Sequence, residues 1–411
     1  MNALKFRPFV AYFVVNTMSL LGTWVQKIGL GWLTWQITES TFWTSFVSVA
    51  LMAPVGILSP FIAVYAELWD MRKAMMATKV LMIIISLVVF ILQIFEMHNL
   101  QTLVVLSLML GLLSAFHHPI RLVFISIVVP KAYLASAIGM NSVSWNMSRV
   151  VGPGIAGFAI AGLGLAPTFG IALLLYVPLV VILFWLPLFS RSNSKQEEHK
   201  FLALLFQGGI VALQTPLIFM ALCLVALNSF FVRGVLEIQP AIIGQLFGGD
   251  SYLLAAATAS AGVGAVAASV WIGVGKTQSD FIRRCLMPML TLGMCATLCL
   301  NFSNNIVIMC FAFVVCGLTT TVVGIGAQTL IQLEVPDNYR ARVMTWWSTV
   351  SFGGLTLGGI AIGLLGEYWP IESAIFGLVL PALFLILLVY IQLPLSRPSL
   401  DLSKPQDSAS T

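Results

Sequence analysis

None of the twenty Lys and Arg residues of this 411-residue chain falls in a connection that, on alternate passes through a bilayer, would emerge on the side away from the termini. Sixteen stand in the other connections or at the two ends: Lys5, Arg7, Arg72, Lys73, Lys79, Lys131, Arg191, Lys195, Lys200, Lys276, Arg283, Arg284, Arg340, Arg342, Arg397 and Lys404. The other four, Lys27, Arg121, Arg149 and Arg233, lie inside apolar stretches. Basic residues confined to one side orient a polytopic membrane protein. The chain is therefore expected to thread a membrane repeatedly with both termini on the basic, cytoplasmic face, and the four interior cations need a reason of their own.

Composition agrees, with 59% hydrophobic and 9% charged residues against about 25% charged in a soluble domain. At about 20 residues per spanning helix, the apolar runs divide into twelve spans near 9–36, 41–66, 74–95, 101–129, 135–162, 165–189, 216–244, 252–275, 282–302, 305–332, 342–366 and 371–394. The first run is too long for the h-region of a cleavable signal and lacks an A-x-A-like site after it, so it is expected to be a retained span. The cysteines, Cys223, Cys285, Cys295, Cys299, Cys310 and Cys316, lie in or beside spans without C-x-x-C spacing. They read as apolar filler, and neither a metal nor a cofactor is implied.

The longest polar connection, Ser190 to Lys200, separates the sixth span from the seventh. It predicts a first bundle over 1–189, a linker over 190–213 whose Phe201 to Leu213 stretch forms a helix on the membrane surface, a second bundle over 214–394 and a cytoplasmic tail over 395–411. An internal repeat at an offset of 206 residues relates the halves: Gly111 matches Gly317, Val129-Pro130 matches Val335-Pro336, Tyr133 matches Tyr339, Ala135 matches Ala341, Ser142 matches Ser348, Gly152 matches Gly358 and Gly157 matches Gly363. Two parallel six-helix bundles about an axis along the membrane normal follow. Small residues such as Gly354, Gly358, Gly359 and Gly363, or Ala259, Gly262, Gly264 and Ala268, mark seams where helices approach closely.

A charge at mid-bilayer costs at least about 2.5–3.5 kcal/mol, so such residues face a cavity or a partner. Lys27, beside Gln26, is in the outer half of the first span. His117 and Arg121 are four apart on one face of the fourth, with His118 turned aside. Arg149 is near the middle of the fifth span, approached at helical spacing by Asn146, Ser142 and Asn141. Arg233 and Glu237, four apart in the seventh, are placed for an intrahelical ion pair. Snorkelling is the competing explanation for Lys27, helix-to-helix hydrogen bonding that for the histidines, and self-neutralisation that for Arg233 with Glu237. With Glu237 the one acid away from the ends of the spans, the interior favours an anionic solute.

The segment Ala63-Val-Tyr-Ala-Glu67-Leu-Trp-Asp70-Met-Arg72-Lys73 resembles the G-x-x-x-D-R-x-x-R-R gating motif of the major facilitator superfamily, with Glu67 for Asp, Ala63 for Gly, and Leu68 and Met71 for basic residues. Arg149-Val-Val-Gly152-Pro153-Gly154-Ile-Ala-Gly157 is similar to the antiporter signature of its exporters, and Arg340-Ala-Arg342-Val-Met occupies the equivalent loop of the second half. With Trp24-Val-Gln26 and Trp32 to Ser40, nearly the whole chain resembles the bacterial exporter branch that includes the enterobactin exporter and related siderophore and macrolide efflux proteins.

The resemblance implies an all-α fold of twelve transmembrane helices in two pseudo-symmetric bundles, rocking about a central site at the expense of the proton gradient. Gln26, Lys27, His117, Arg121, Asn146, Arg149 and Arg233 are the candidate substrate ligands, and Glu237 and His118 the candidate proton carriers. Glu67, Asp70, Arg72, Arg340 and Arg342 are candidate gating residues, and Gly152, Pro153 and Gly157 form the antiporter motif. No Walker-type loop, metal-ligand spacing or catalytic triad points to an enzyme, nor is nucleic acid an expected partner. The expected protein is a monomeric, proton-coupled inner-membrane exporter of an anionic small molecule, foremost a carboxylate-type siderophore. Macrolide efflux, import of a ferric siderophore and a transport-like receptor are the alternatives.

Overall fold

The computed structural model describes residues 3–66, 69–188, 201–274, 279–300, 305–335 and 337–392. Glu67, the 190–200 stretch of the linker and the tail over 395–411 lie outside the described residues. The rest is helical: α1 (Arg7–Thr38), α2 (Thr41–Ala50), α3 (Ala53–Ala66), α4 (Met71–Ile94), α5 (Leu100–Val128), α6 (Leu134–Leu163), α7 (Leu165–Trp185), α8 (Phe201–Gln214), α9 (Pro216–Asn228), α10 (Gly234–Glu237), α11 (Gln239–Phe247), α12 (Ser251–Val274), α13 (Ser279–Cys299), α14 (Ile306–Glu334), α15 (Asp337–Tyr368) and α16 (Ile371–Gln392).

Two spans are broken. A turn at Leu51-Met52 divides the second into α2 and α3. In the seventh, a π-helical stretch over Ser229–Arg233 joins α9 to α10, and α11 restarts with Pro240 in its first turn, where the missing N–H is harmless. With these counted as single spans and α8 set aside, the helices make twelve crossings. Among the described residues nine segments are long and apolar enough to cross a bilayer unaided, and 284–299 and 371–386 are shorter apolar helices. The remaining crossing, α6, is the one laden with Asn141, Ser142, Ser144, Asn146, Ser148 and Arg149. Large side chains such as Trp185, Leu174 and Phe158 are exposed, as expected where the solvent is lipid and every backbone group is satisfied within its helix.

The internal repeat is written into the geometry. α5 and α14 are each 29 residues long. Each is capped by an Asn, with Asn99 accepting from Thr102 N at 2.8 Å and Asn305 from Val307 N at 2.8 Å, and each stops at an extended valine, Val129 or Val335. A Cβ on Gly111 would overlap the carbonyl oxygen of Ala50, and one on Gly317 that of Ala261. The fourth span thus presses on the second as the tenth presses on the eighth.

Between the halves, α6 crosses α12, and α2 and α3 cross α15. The close approaches lie at the middle of the molecule or toward the end away from the termini, hereafter the far end: Gly157 against Ala255 and Thr258, Gly262 against Val150, Gly359 against Val49, Gly363 against Ser45, and Gly366 against Thr41. Hydrogen bonds join the halves there too. Glu367 accepts from Ser40 Oγ at 2.8 Å and from the backbone of Phe42 at 3.3 Å, and Thr41 donates to the Gly363 carbonyl at 3.0 Å. α8 packs on α15, with Gly208 and Gly209 against Arg342 and Trp346, and Arg342 donates to Gln207 at 3.2 Å.

Candidate functional site

A cavity of about 80 Å³ sits between the halves. Its walls are Trp24, Lys27 and Ile28 of α1, Arg149, Val150 and Pro153 of α6, Arg233, Leu236, Glu237 and Gln239 in and beside α10, and residues of α12 and α14 including Thr258, Thr320 and Thr321. Three cations and one carboxylate line it.

Lys27 Nζ donates to Glu237 Oε2, tying α1 of the first half to α10 of the second; it also stands over the Trp24 ring, 4.8 Å from the centroid. Both partners are buried, at 4% and 10% side-chain exposure, so neither cost of burial is relieved by bulk water and each charge depends on the other. Snorkelling is not the reason for Lys27. The intrahelical pair expected between Arg233 and Glu237 is absent: Arg233 donates to Ser351 Oγ on α15. α10 keeps helical spacing between the two, so the cause is competition from other helices: Ser351 of α15 takes Arg233 and Lys27 of α1 takes Glu237. The π stretch that ends at Arg233 lies before the pair, and π turns recur at functional sites.

The other candidates fall elsewhere. Gln26 is buried away from the cavity, accepting from Ser86 Oγ at 2.8 Å and Tyr176 Oη at 3.0 Å, and so joins α1 to α4 and α7. Asn146 donates to the Ser142 carbonyl of its own helix at 2.9 Å. His117 Nδ1 is 3.0 Å from Thr78 Oγ1, and Arg121 donates to Asn141 Oδ1 at 2.6 Å. These lie within the first half, with Arg121 also over the Trp145 ring at 5.2 Å. His118 meets Trp145 edge-on at 5.4 Å and Phe352 of the second half at 6.3 Å.

Charge distribution along the chain assigns Lys79 to a cytoplasmic connection; instead it lies inside α4 at 1% exposure, over the Tyr176 ring at 4.5 Å. Among the described residues five cations, not four, are therefore interior. Its place five residues inside the 74–95 apolar run is the available signal, obscured by the nearby Arg72 and Lys73.

In the gating segment Asp70 caps α4, accepting from Lys73 N at 3.1 Å, and Arg72 donates to the Phe184 and Leu186 carbonyls at the end of α7. Arg340 donates to the Val335 carbonyl at 3.3 Å. Of the antiporter motif, Gly152 lets α6 meet Trp24 of α1, Pro153 lines the cavity, and Gly157 lets α6 meet α12.

Paired bundles of spanning helices around a charged cavity define a multi-pass membrane transporter of the major facilitator fold. Solved structures share it. A POT family transporter in complex with 5-aminolevulinic acid superposes with a TM-score of 0.69 at 13% identity, covering 94% of this chain and 96% of that one. The nucleoside transporter NupG gives 0.67 at 11% identity, covering 93% of this chain and 99% of that one. The family model for transmembrane secretion effectors matches residues 2–409, and the chain belongs to that family of the major facilitator superfamily. Among relatives, the uncharacterized MFS-type transporter YfiS of Bacillus subtilis (strain 168) is 25% identical over 369 residues, covering 87% of each chain. The staphyloferrin A transporter of Staphylococcus aureus (strain NCTC 8325 / PS 47) is 20% identical over 369 residues, covering 88% of this chain and 90% of that one. Family and relatives are transporters, not enzymes.

Proposed function

We propose that this protein is a proton-coupled exporter of the bacterial inner membrane, with both termini in the cytoplasm, that carries a carboxylate-type siderophore by rocking its two bundles about the central cavity. The observation that carries the proposal is the excess of cations there: Lys27, Arg149 and Arg233 against the single carboxylate Glu237. Such a wall holds carboxylates through charge-assisted hydrogen bonds, and repels the cationic amphiphiles that many drug carriers accept. The staphyloferrin A transporter among its relatives supports the substrate class.

Coupling follows from the Lys27–Glu237 tie. A solute carboxylate arriving at Lys27 competes with Glu237 for the same ammonium; protonation of Glu237 from outside removes the competitor and loosens the link between the halves. Gln26, held by Ser86 and Tyr176, positions the face of α1 that presents Lys27. His118, at the contact of Trp145 with Phe352, lies where bundle motion is felt. With the termini inside, the far end is the outer side, and the close packing there is an outward-closed carrier. The gating segments of Asp70, Arg72, Arg340 and Arg342 then lie on the open, cytoplasmic side.

Mass spectrometry of spent medium and cell extract from iron-starved cells, with and without the gene, tests this. A carboxylate chelator should disappear from the medium and accumulate in the cells lacking the gene, and Arg149→Gln should behave as the deletion. An unchanged chelator profile would exclude siderophore export.

A further inference from the structure

The central cavity accounts for three of the five interior cations among the described residues. Lys79 and Arg121 remain, at 1% and 2% exposure within the first half. Thr78, the neighbour of Lys79, meets His117, one turn before Arg121, at 3.0 Å, and so brings the two cations to the same α4–α5 contact. No carboxylate pairs with either among the described residues: Lys79 has the Met82 sulfur at 3.6 Å and the Tyr176 ring, and Arg121 has the Asn141 amide oxygen and the Trp145 ring. Tyr12, 1% exposed, meets Phe124, three residues past Arg121, at 5.4 Å between ring centroids, and its buried hydroxyl has no hydrogen-bond partner.

Two mutually repelling buried cations are costly without a counter-charge, and an orphaned donor beside them costs further. All three needs are met by one small anion. We propose that Lys79, Arg121 and Tyr12 form a second anion site inside the first bundle, taking either a carboxylate group of the transported solute or a free inorganic anion. Trp145 stands between this site and the central cavity, with one contact to Arg121 and another, at 6.2 Å, to the cavity residue Trp24. As a station for solute, the site lies on the terminal side of the central one and loads from there; that arm rests on the anion-exporter reading, whereas an inorganic counter-ion does not.

The test is thermal unfolding of the full-length protein in detergent, titrated with chloride or with citrate against a bulky sulfonate buffer as reference anion. Binding to the folded state raises the melting temperature with the logarithm of one plus the ratio of anion concentration to Kd, so a weakened site shifts the whole response to higher concentration. Tyr12→Phe removes only the hydroxyl, and Lys79→Gln the charge. Each should raise the anion concentration needed for a given rise in melting temperature, by about tenfold for Lys79→Gln, as expected for loss of a charge-assisted hydrogen bond. Should Lys79→Gln fail to fold, Tyr12→Phe and Arg121→Lys decide. A chloride response alone that Lys79→Gln weakens identifies a resident counter-ion, and a citrate response without a chloride one that Lys79→Gln weakens identifies a solute carboxylate. Stabilisation by neither anion, or a response that Tyr12→Phe and Lys79→Gln both leave intact, overturns the site whatever the transport assay finds.

Discussion

Lys27 and Glu237 are 210 positions apart, and each is the other's principal answer to burial. Removing one strands a charge between the bundles, at a cost of about 3–5 kcal/mol, whereas replacing both by apolar groups of similar size is often neutral. Lys27→Met and Glu237→Leu should therefore each lower the melting temperature strongly, and the double variant should recover most of the loss. Simple addition of the two effects in thermal unfolding would show that the pair contributes nothing as a pair. The sequence marks both residues as interior charges but does not join them. Its local rule favours Arg233, four residues away, and a partner on another helix is not visible in composition or periodicity. Lys79 is legible as a residue inside an apolar run, and Tyr12 is not, because an orphaned hydroxyl is a property of the packed bundle.

At the scale of helices more is readable. The Gly111 and Gly317 match and the valine stops of α5 and α14 are visible as a repeat, and the structure gives each glycine the same duty, contact with a neighbouring carbonyl. Asn99 and Asn305 share that offset and cap the same two helices, a match that pattern reading passes over because capping depends on one side-chain bond rather than on periodicity. The division of duty among glycines is not readable, since packing within a bundle and packing between bundles look alike in sequence. Gly111 lies within the first bundle and Gly363 at the crossing of α15 with α2, where a Cβ would overlap Ser45. Overpacking costs about 1–3 kcal/mol in either place, but the outlets differ. Gly111→Val has nowhere to go and should lower the melting temperature. Gly363→Val can be relieved by separation of the bundles and should leave stability nearly intact while lengthening the distance between spin labels at 43 and 368, measured by double electron–electron resonance. An unchanged distance would mean that the far-end seam does not part.

For the whole molecule, rocking about a fixed centre demands that packing broken at the far end be replaced by packing near the termini, because each bundle moves as a dense body and a dense core is bistable rather than compliant. α6 and α12 run antiparallel, touching where Gly157 meets Ala255 and where Val150 meets Gly262. Continuing that register toward the termini puts Val143 opposite the turn that holds Val270, and both are exposed, at 59% each. The residues are therefore apart while the far end is shut and should come together when it opens. A Val143→Cys/Val270→Cys pair should cross-link weakly in resting membranes. Its yield should rise when Gly363→Val is added, since that change favours the opposite state, and the cross-linked protein should stop transporting. Equal yields with and without Gly363→Val would mean that the two bundles do not exchange their ends, and the central cavity would then be a buried polar core rather than a site visited from both sides.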